Sequence, residues 1–182
     1  MERSIDVSTT IRATLPKVRE ILLEDPGMVF GEAETEEHRE RSFSMDLAIG
    51  LGAGASVHQA VALKVGSPRA IEHGLALPVG WRASGREQLL PTFDGALEIS
   101  ESRPGTRVRL VGAYSVPLGA IGRVGDGVLG RRVADRSLQT LVERLASRLE
   151  TEVRARVESV TWRPAPRPPD LREQEHSEIY VG

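Results

Sequence analysis

Residues 4–13 alternate, with Ile5, Val7, Thr9, Ile11 and Ala13 on one side and Ser4, Asp6, Ser8, Thr10 and Arg12 on the other. A period of two is the signature of a half-buried strand. Thr14 then stands where a helix N-cap belongs, Pro16 falls in the first turn, and Leu15, Val18, Ile21 and Leu22 form an apolar stripe. Asp25-Pro26-Gly27 ends this helix or turns it into a second short one. Val29 to Glu40 is polar and weakly periodic, and reads as an edge strand. The period of two then returns in Phe43, Met45, Leu47 and Ile49, and again in Val57, Val61, Leu63 and Val65. Ile71, His73, Leu75, Leu77, Val79 and Trp81 read as one face of the next strand, and Phe93 to Ser100 and Thr106 to Tyr114 as a final hairpin. Gly52-Ala53-Gly54, Gly66-Ser67-Pro68-Arg69, Ser84-Gly85-Arg86 and Arg103-Pro104-Gly105 supply turns at the spacing of an antiparallel meander.

After Tyr114 the period changes. A glycine-rich approach leads into Ala134, Leu138, Leu141, Val142, Leu145, Leu149 and Val153, in steps of three and four, opposite Arg136, Gln139, Glu143, Arg144, Arg148, Glu150 and Arg154. This predicts one long amphipathic helix, with Glu150–Arg154 and Glu152–Arg156 as i,i+4 pairs on its surface. A long helix following a meander implies an α+β domain, its sheet curled around the helix. From Trp162 the chain is proline-rich and then polar. The expected organisation is a domain over residues 1–160 and a flexible tail over 161–182.

Composition narrows the function classes. A net charge of −2 and a pI near 6.1 give no basic signal for nucleic acid. With no cysteine, disulfides, thiolate catalysis and thiolate-bound zinc are excluded. No apolar run reaches the ~18 residues of a membrane span, and the first residues lack the apolar core of a secretion signal, so a cytoplasmic location is expected. His38, His58, His73 and His176 are scattered without ligand spacing, so neither a metal nor another cofactor is expected. Gly50-Leu51-Gly52-Ala53-Gly54 runs into a strand rather than a helix and reads as a hairpin turn, not a dinucleotide loop. Only Lys17 and Lys64 among the 24 basic residues are lysines, so a single exposed arginine carries little information about function. Nothing in the pattern points to an oligomeric state.

The order strand, short helices, about six antiparallel strands and long C-terminal helix resembles the helix-grip fold of the START and Bet v 1-like superfamily, which includes polyketide cyclase-like proteins. Leu75-Ala76-Leu77-Pro78-Val79-Gly80-Trp81 and Gly112-Ala113-Tyr114-Ser115-Val116-Pro117-Leu118-Gly119 are similar to bacterial members. The resemblance spans residues 3–157. It implies an antiparallel sheet of about seven strands and, between sheet and helix, a cavity for a small hydrophobic molecule such as a lipid, an isoprenoid or a polyketide-like ring. The superfamily shares no catalytic motif, and its members include carriers, receptors and ring cyclases, so the fold does not choose among activities. Three readings follow. One is a binding or transport protein, one a cyclase, aromatase or dehydratase, and one an interaction module with a filled interior.

The candidate ligand contacts are Leu75, Leu77 and Trp81 on the strands, Leu138, Leu141 and Leu145 on the helix, and His73 and Tyr114 as polar handles. His73, on an apolar face, either meets a ligand carbonyl or hydroxyl, works as a base, or is hydrogen-bonded at the rim. Tyr114 is either a polar handle inside the cavity or a structural tyrosine closing the core. Trp81 walls the pocket or closes one end of the core. No residue is assigned a catalytic role. The inner face of the helix carries no reactive group, which leaves chemistry to the sheet side.

Overall fold

The structure, a computed structural model, describes residues 2–37, 40–52, 55–83, 92–115 and 127–161. The elements are β1 (Glu2–Ile11), α1 (Leu15–Glu24), α2 (Gly27–Phe30), β2 (Ala33–Glu37), β3 (Glu40–Gly52), β4 (Ala55–Gly66), β5 (Arg69–Ile71), β6 (Gly74–Ala83), β7 (Thr92–Ser102), β8 (Gly105–Ser115) and a C-terminal helix, α3 (Gly127–Thr161). Seven strands pair antiparallel in the order β1-β8-β7-β6-β4-β3-β2, and β5 pairs with β6. Helix α3 packs against β1, β3 and β8 and against α1 and α2. This is the helix-grip α+β fold that the pattern predicts. The expected tail, the glycine-rich approach to α3 and the turn at Ser84-Gly85-Arg86 lie outside the described residues.

Alternation explains the sheet. Phe43 and Met45, Val61, Leu63 and Val65, Leu75 to Trp81 at every second position, Phe93, Leu97 and Ile99, and Val108 and Leu110 are all buried on the inner face. They meet Leu138, Leu141, Val142, Leu145, Ala146 and Leu149 of α3. Where an alternating apolar face and a helical apolar stripe are both present, burying each against the other is the two-layer solution. At the far edge β2 reads Ala-Glu-Thr-Glu-Glu, and such charge discourages edge-to-edge pairing.

Two expectations are corrected. Val29 and Phe30 do not begin an edge strand. They form α2 and are fully buried, and strand pairing begins only at Ala33. Pro26 has helical dihedrals (φ −61°, ψ −20°), which favours a helical turn here. The strand assumed to run from Ile71 through Trp81 is broken. Ile71 pairs with Gly74 across a two-residue turn at Glu72-His73, and the His73 φ of +58° is one an ordinary strand residue does not adopt.

Polar ties hold the periphery. Arg109 donates to both Asp6 carboxylate oxygens and to Glu98, each at 2.7 Å, linking β1, β8 and β7 on the outer face. Hydrogen bonding to Arg109 holds the Asp6 carboxyl below its ordinary range, and the two carboxylates raise the Arg109 guanidinium. The buried Thr106 hydroxyl donates to the Ala13 carbonyl at 2.6 Å. Glu152 and Arg156 form the expected i,i+4 pair. Glu150 accepts from the Arg12 backbone amide at 3.2 Å, a link from α3 to the end of β1 that its i,i+4 spacing does not foretell.

Candidate functional site

Register places an aromatic row across the inner face. Leu63 of β4 lies opposite Trp81 of β6, Trp81 opposite Phe93 of β7, Phe93 opposite Tyr114 of β8, and Tyr114 opposite Arg3 of β1. Residues directly opposite in antiparallel strands share a face, so one line across five strands collects three aromatic side chains. The Trp81 and Phe93 rings stack with centroids 4.4 Å apart and planes 19° from parallel.

In the next row inward, between Val79 of β6 and Ile5 of β1, two strands carry no side chain. Gly95 of β7 and Gly112 of β8 are paired, and a side-chain carbon on either would run into the backbone of the other strand. The Phe93 ring leans over this bare stretch. Its Cζ lies 2.7 Å from where a side-chain carbon of Gly95 would stand and 2.9 Å from the equivalent point at Gly112. The glycine pair therefore makes room for the ring.

Beneath α3 lies a small cavity lined by Leu63, Val79, Trp81, Leu97 and Leu110 of the sheet, Phe30 of α2, and Leu141 and Leu145 of α3. Its volume is about 10 Å³. That is at the threshold for one water molecule and far below the ~300–1,000 Å³ of a ligand pocket. The described side chains thus leave an apolar seam, not an open chamber. The lining contains no acid, base or hydroxyl.

The polar group at this end is Tyr114. Its side chain is buried, with 3% exposed, and its hydroxyl donates to Asp135 Oδ1 of α3 at 3.2 Å. Asp135 stands about 9 Å along the helix axis from Leu141. It is missing from the sequence-based candidates, although it sits three residues before Leu138 and seven before Val142, on the edge of the inner stripe. Asp135 is itself exposed, at the margin of the inner face rather than on it. Its carboxylate reaches the sheet from there.

The predicted contacts separate into three groups. Trp81, Leu141 and Leu145 line the seam. Leu75, Leu77 and Leu138 are buried in the core without lining it, and Tyr114 joins the aromatic row. His73 does not belong with them. Its side chain is 74% exposed on the β5–β6 turn, with Nε2 3.5 Å from Glu72 Oε1. At ~3.3 Å per strand residue the turn lies roughly 25 Å from Trp81, too far to share a small ligand with Tyr114. An open notch of about 590 Å³ beside His73 is formed by the Thr14–Pro16 and Glu101–Gly105 loops. A trough of about 920 Å³ on the outer sheet face is lined by small residues such as Ala62, Pro78, Gly80 and Ala113, with Glu40, Lys64, Arg82 and Asp94. Both exceed the seam in size, but neither gathers a buried reactive group. Among the described residues no cluster of His, Asp and Glu could hold a metal, and no helix is long and apolar enough to cross a membrane.

No protein-family model matches the chain, and no curated protein matches it. Solved structures do. TTHA0849 from Thermus thermophilus superposes with a TM-score of 0.51 at 19% identity, over 85% of this chain and 99% of that one. The di-domain ARO/CYC protein BexL from the BE-7585A biosynthetic pathway gives 0.54 at 12% identity, over 84% of this chain, which spans 50% of BexL. Ara h 8.0201 gives 0.52 at 9% identity, over 85% and 99% of the two chains. At these identities the likeness concerns the fold alone. The chain has the Bet v 1-like, polyketide cyclase-like fold.

Proposed function

We propose that this protein binds a small apolar molecule between the sheet and the middle of α3. The observation that carries this reading is the seam, where eight side chains from sheet, α2 and α3 converge and every one is apolar. Burial of an apolar ligand there would contribute ~25 cal/mol per Å² of apolar surface removed from water. Because the seam is nearly filled, binding requires side chains beneath α3 to move apart. A wholly apolar lining suits a binding protein better than an enzyme, since proton transfer needs a positioned acid or base.

The test combines mass spectrometry of organic extracts from gently purified protein with thermal melts in the presence of 1-decanol. Binding predicts a rise in Tm that is lost in Leu145→Trp, which fills the seam. An extract without an apolar compound, together with a Tm unmoved by the alcohol, refutes the reading and leaves a filled interaction module.

One observation favours a second reading. BexL, which shares the fold, is an ARO/CYC protein, and the Tyr114–Asp135 hydrogen bond is a pair able to hand a proton to a ligand at the end of the seam. A cyclase would lose turnover of a polyketide-like substrate in Tyr114→Phe while still binding it.

A further inference from the structure

We propose that the outer face of the sheet around β6 is a docking surface for a second copy of this chain, related to the first by a two-fold axis along β6. The proposal does not depend on what the seam binds.

The positions of β6 that alternate with buried Leu75, Leu77, Val79 and Trp81 point away from the core. From Ala76 through Pro78 to Gly80, none of them carries a polar side chain. Register sets the flanks. Lys64 of β4 and Asp94 of β7 stand on either side of Gly80, and Arg69 of β5 and Glu98 of β7 on either side of Ala76. A low strip along β6 is thus bordered by cations on one side and carboxylates on the other. Lys64 and Asp94 wall the outer trough, and Pro78 and Gly80 belong to its floor. Within one copy the two columns are two strand spacings, about 10 Å, apart, and no ion pair joins them. Lys64 reaches Glu40 of β3 at 3.7 Å, and Glu98 is held by Arg109 of β8 at 2.7 Å. Arg69 and Asp94 have no ion-pair partner among the described residues.

Further out the signs reverse on both sides, with Glu40 on β3 and Arg109 on β8. The charge pattern is therefore antisymmetric about β6. A two-fold axis along β6 exchanges its two sides, so it lays the cations of one copy over the carboxylates of the other. Lys64 then meets the partner's Asp94, and Arg69 the partner's Glu98, each pair occurring twice. Facing sheets pack about 10 Å apart, a gap that an extended lysine and an aspartate span between them. A uniformly acidic or basic partner satisfies one column and is opposed by the other. Arg82 is the next outward position after Gly80. It lies on the axis, where docking brings two guanidinium groups together. The patch is roughly 20 Å square, about half the area per partner of a standard interface. The dimer is therefore weak and sensitive to salt.

Sedimentation velocity of the full chain in low salt, from about 10 μM to about 1 mM, tests the proposal. The wild type should pass from monomer to dimer over that range, and 1 M salt should return it to monomer. Lys64→Asp and Asp94→Lys should each weaken the dimer about tenfold or more, because like charges then face each other. Mixed in equal amounts, the two variants should recover a dimer about as tight as the wild type, since each supplies the charge the other lacks. Arg82→Ala should tighten the dimer several-fold by removing the pair of cations on the axis. Thermal melts that match the wild type separate loss of docking from loss of fold. A chain that stays monomeric throughout overturns the proposal, as does a dimer that survives 1 M salt or either single variant. Variants that dissociate and do not recover on mixing overturn the two-fold arrangement along β6, and the proposal with it.

Discussion

Along the C-terminal half of α3, Arg148 donates to the Val29 carbonyl at 3.0 Å, Glu150 accepts from the Arg12 amide, and Arg156 reaches Glu20 and Glu24 of α1. From Asp135 to the middle of the helix, Leu138, Leu141 and Leu145 lie on the core, and the Tyr114–Asp135 hydrogen bond ties helix to sheet. One stretch is fastened to loops and helices at its rim. The other rests on apolar side chains over a seam. Polar ties to the rim fix one end of the helix, and the seam lies under a stretch held by apolar packing.

The largest expected effect separates a leucine that lines the seam from one that does not. Leu149→Ala, at a fully buried site, should cost ~2–5 kcal/mol in urea unfolding without improving the binding of an apolar probe. Leu145→Ala should destabilise within the same range and also increase 1-decanol affinity, because it enlarges the seam. Equal behaviour of the two variants toward the probe would break the comparison. Next, Arg156→Met should lower stability by ~1 kcal/mol or less, since two of its three glutamate partners, Glu20 and Glu24, are largely exposed, and 1 M salt should erase most of the difference. Smaller still, His73→Asn should raise stability by a few tenths of a kcal/mol, because asparagine tolerates the left-handed backbone better. It should leave probe binding untouched, and a changed affinity would return His73 to the site.

A last test concerns the outer face and is read against pH. The Asp6 carboxyl is depressed by its hydrogen bonds to Arg109. A depressed carboxyl adds stability that is present above its ordinary value of 3.8 and is lost as pH falls through the lowered one. Arg109→Leu should therefore melt below wild type at pH 7, with the gap closing in acid. A gap constant from pH 7 to pH 2.5 would remove the ion pair as its cause.

The architecture is legible because each strand buries one face and α3 one stripe, and both leave periodic traces. Sequence-based expectations fail where a local period continues by accident. Ile71, His73 and Leu75 keep a period of two through a turn that contains no glycine, proline or asparagine at the decisive position, so only the backbone reveals that His73 points to solvent. Val29 and Phe30 fall in a four-residue helix, too short for any helical repeat to register. Asp135 shares the spacing of the buried stripe but not its polarity, and a search for apolar periodicity does not register it. Gly95 and Gly112 are inconspicuous in the chain, since they become a feature only once β7 and β8 are set side by side.

The sheet order also has a consequence for how the chain is made. β1 precedes the other described strands in the chain, yet among them it pairs with β8 alone, Glu2 opposite Ser115 and Ile11 opposite Thr106. At ribosomal rates of ~5–20 residues per second, β1 waits on the order of ten seconds for its partner. Closure of the sheet is thus a late, long-range event, and contacts so distant in sequence slow folding. Until then Ile5 and Ile11 have no sheet to lie on, and the β7–β8 hairpin presents an unpaired edge. For this protein the hazard of misassembly lies in the interval before β1 and β8 meet.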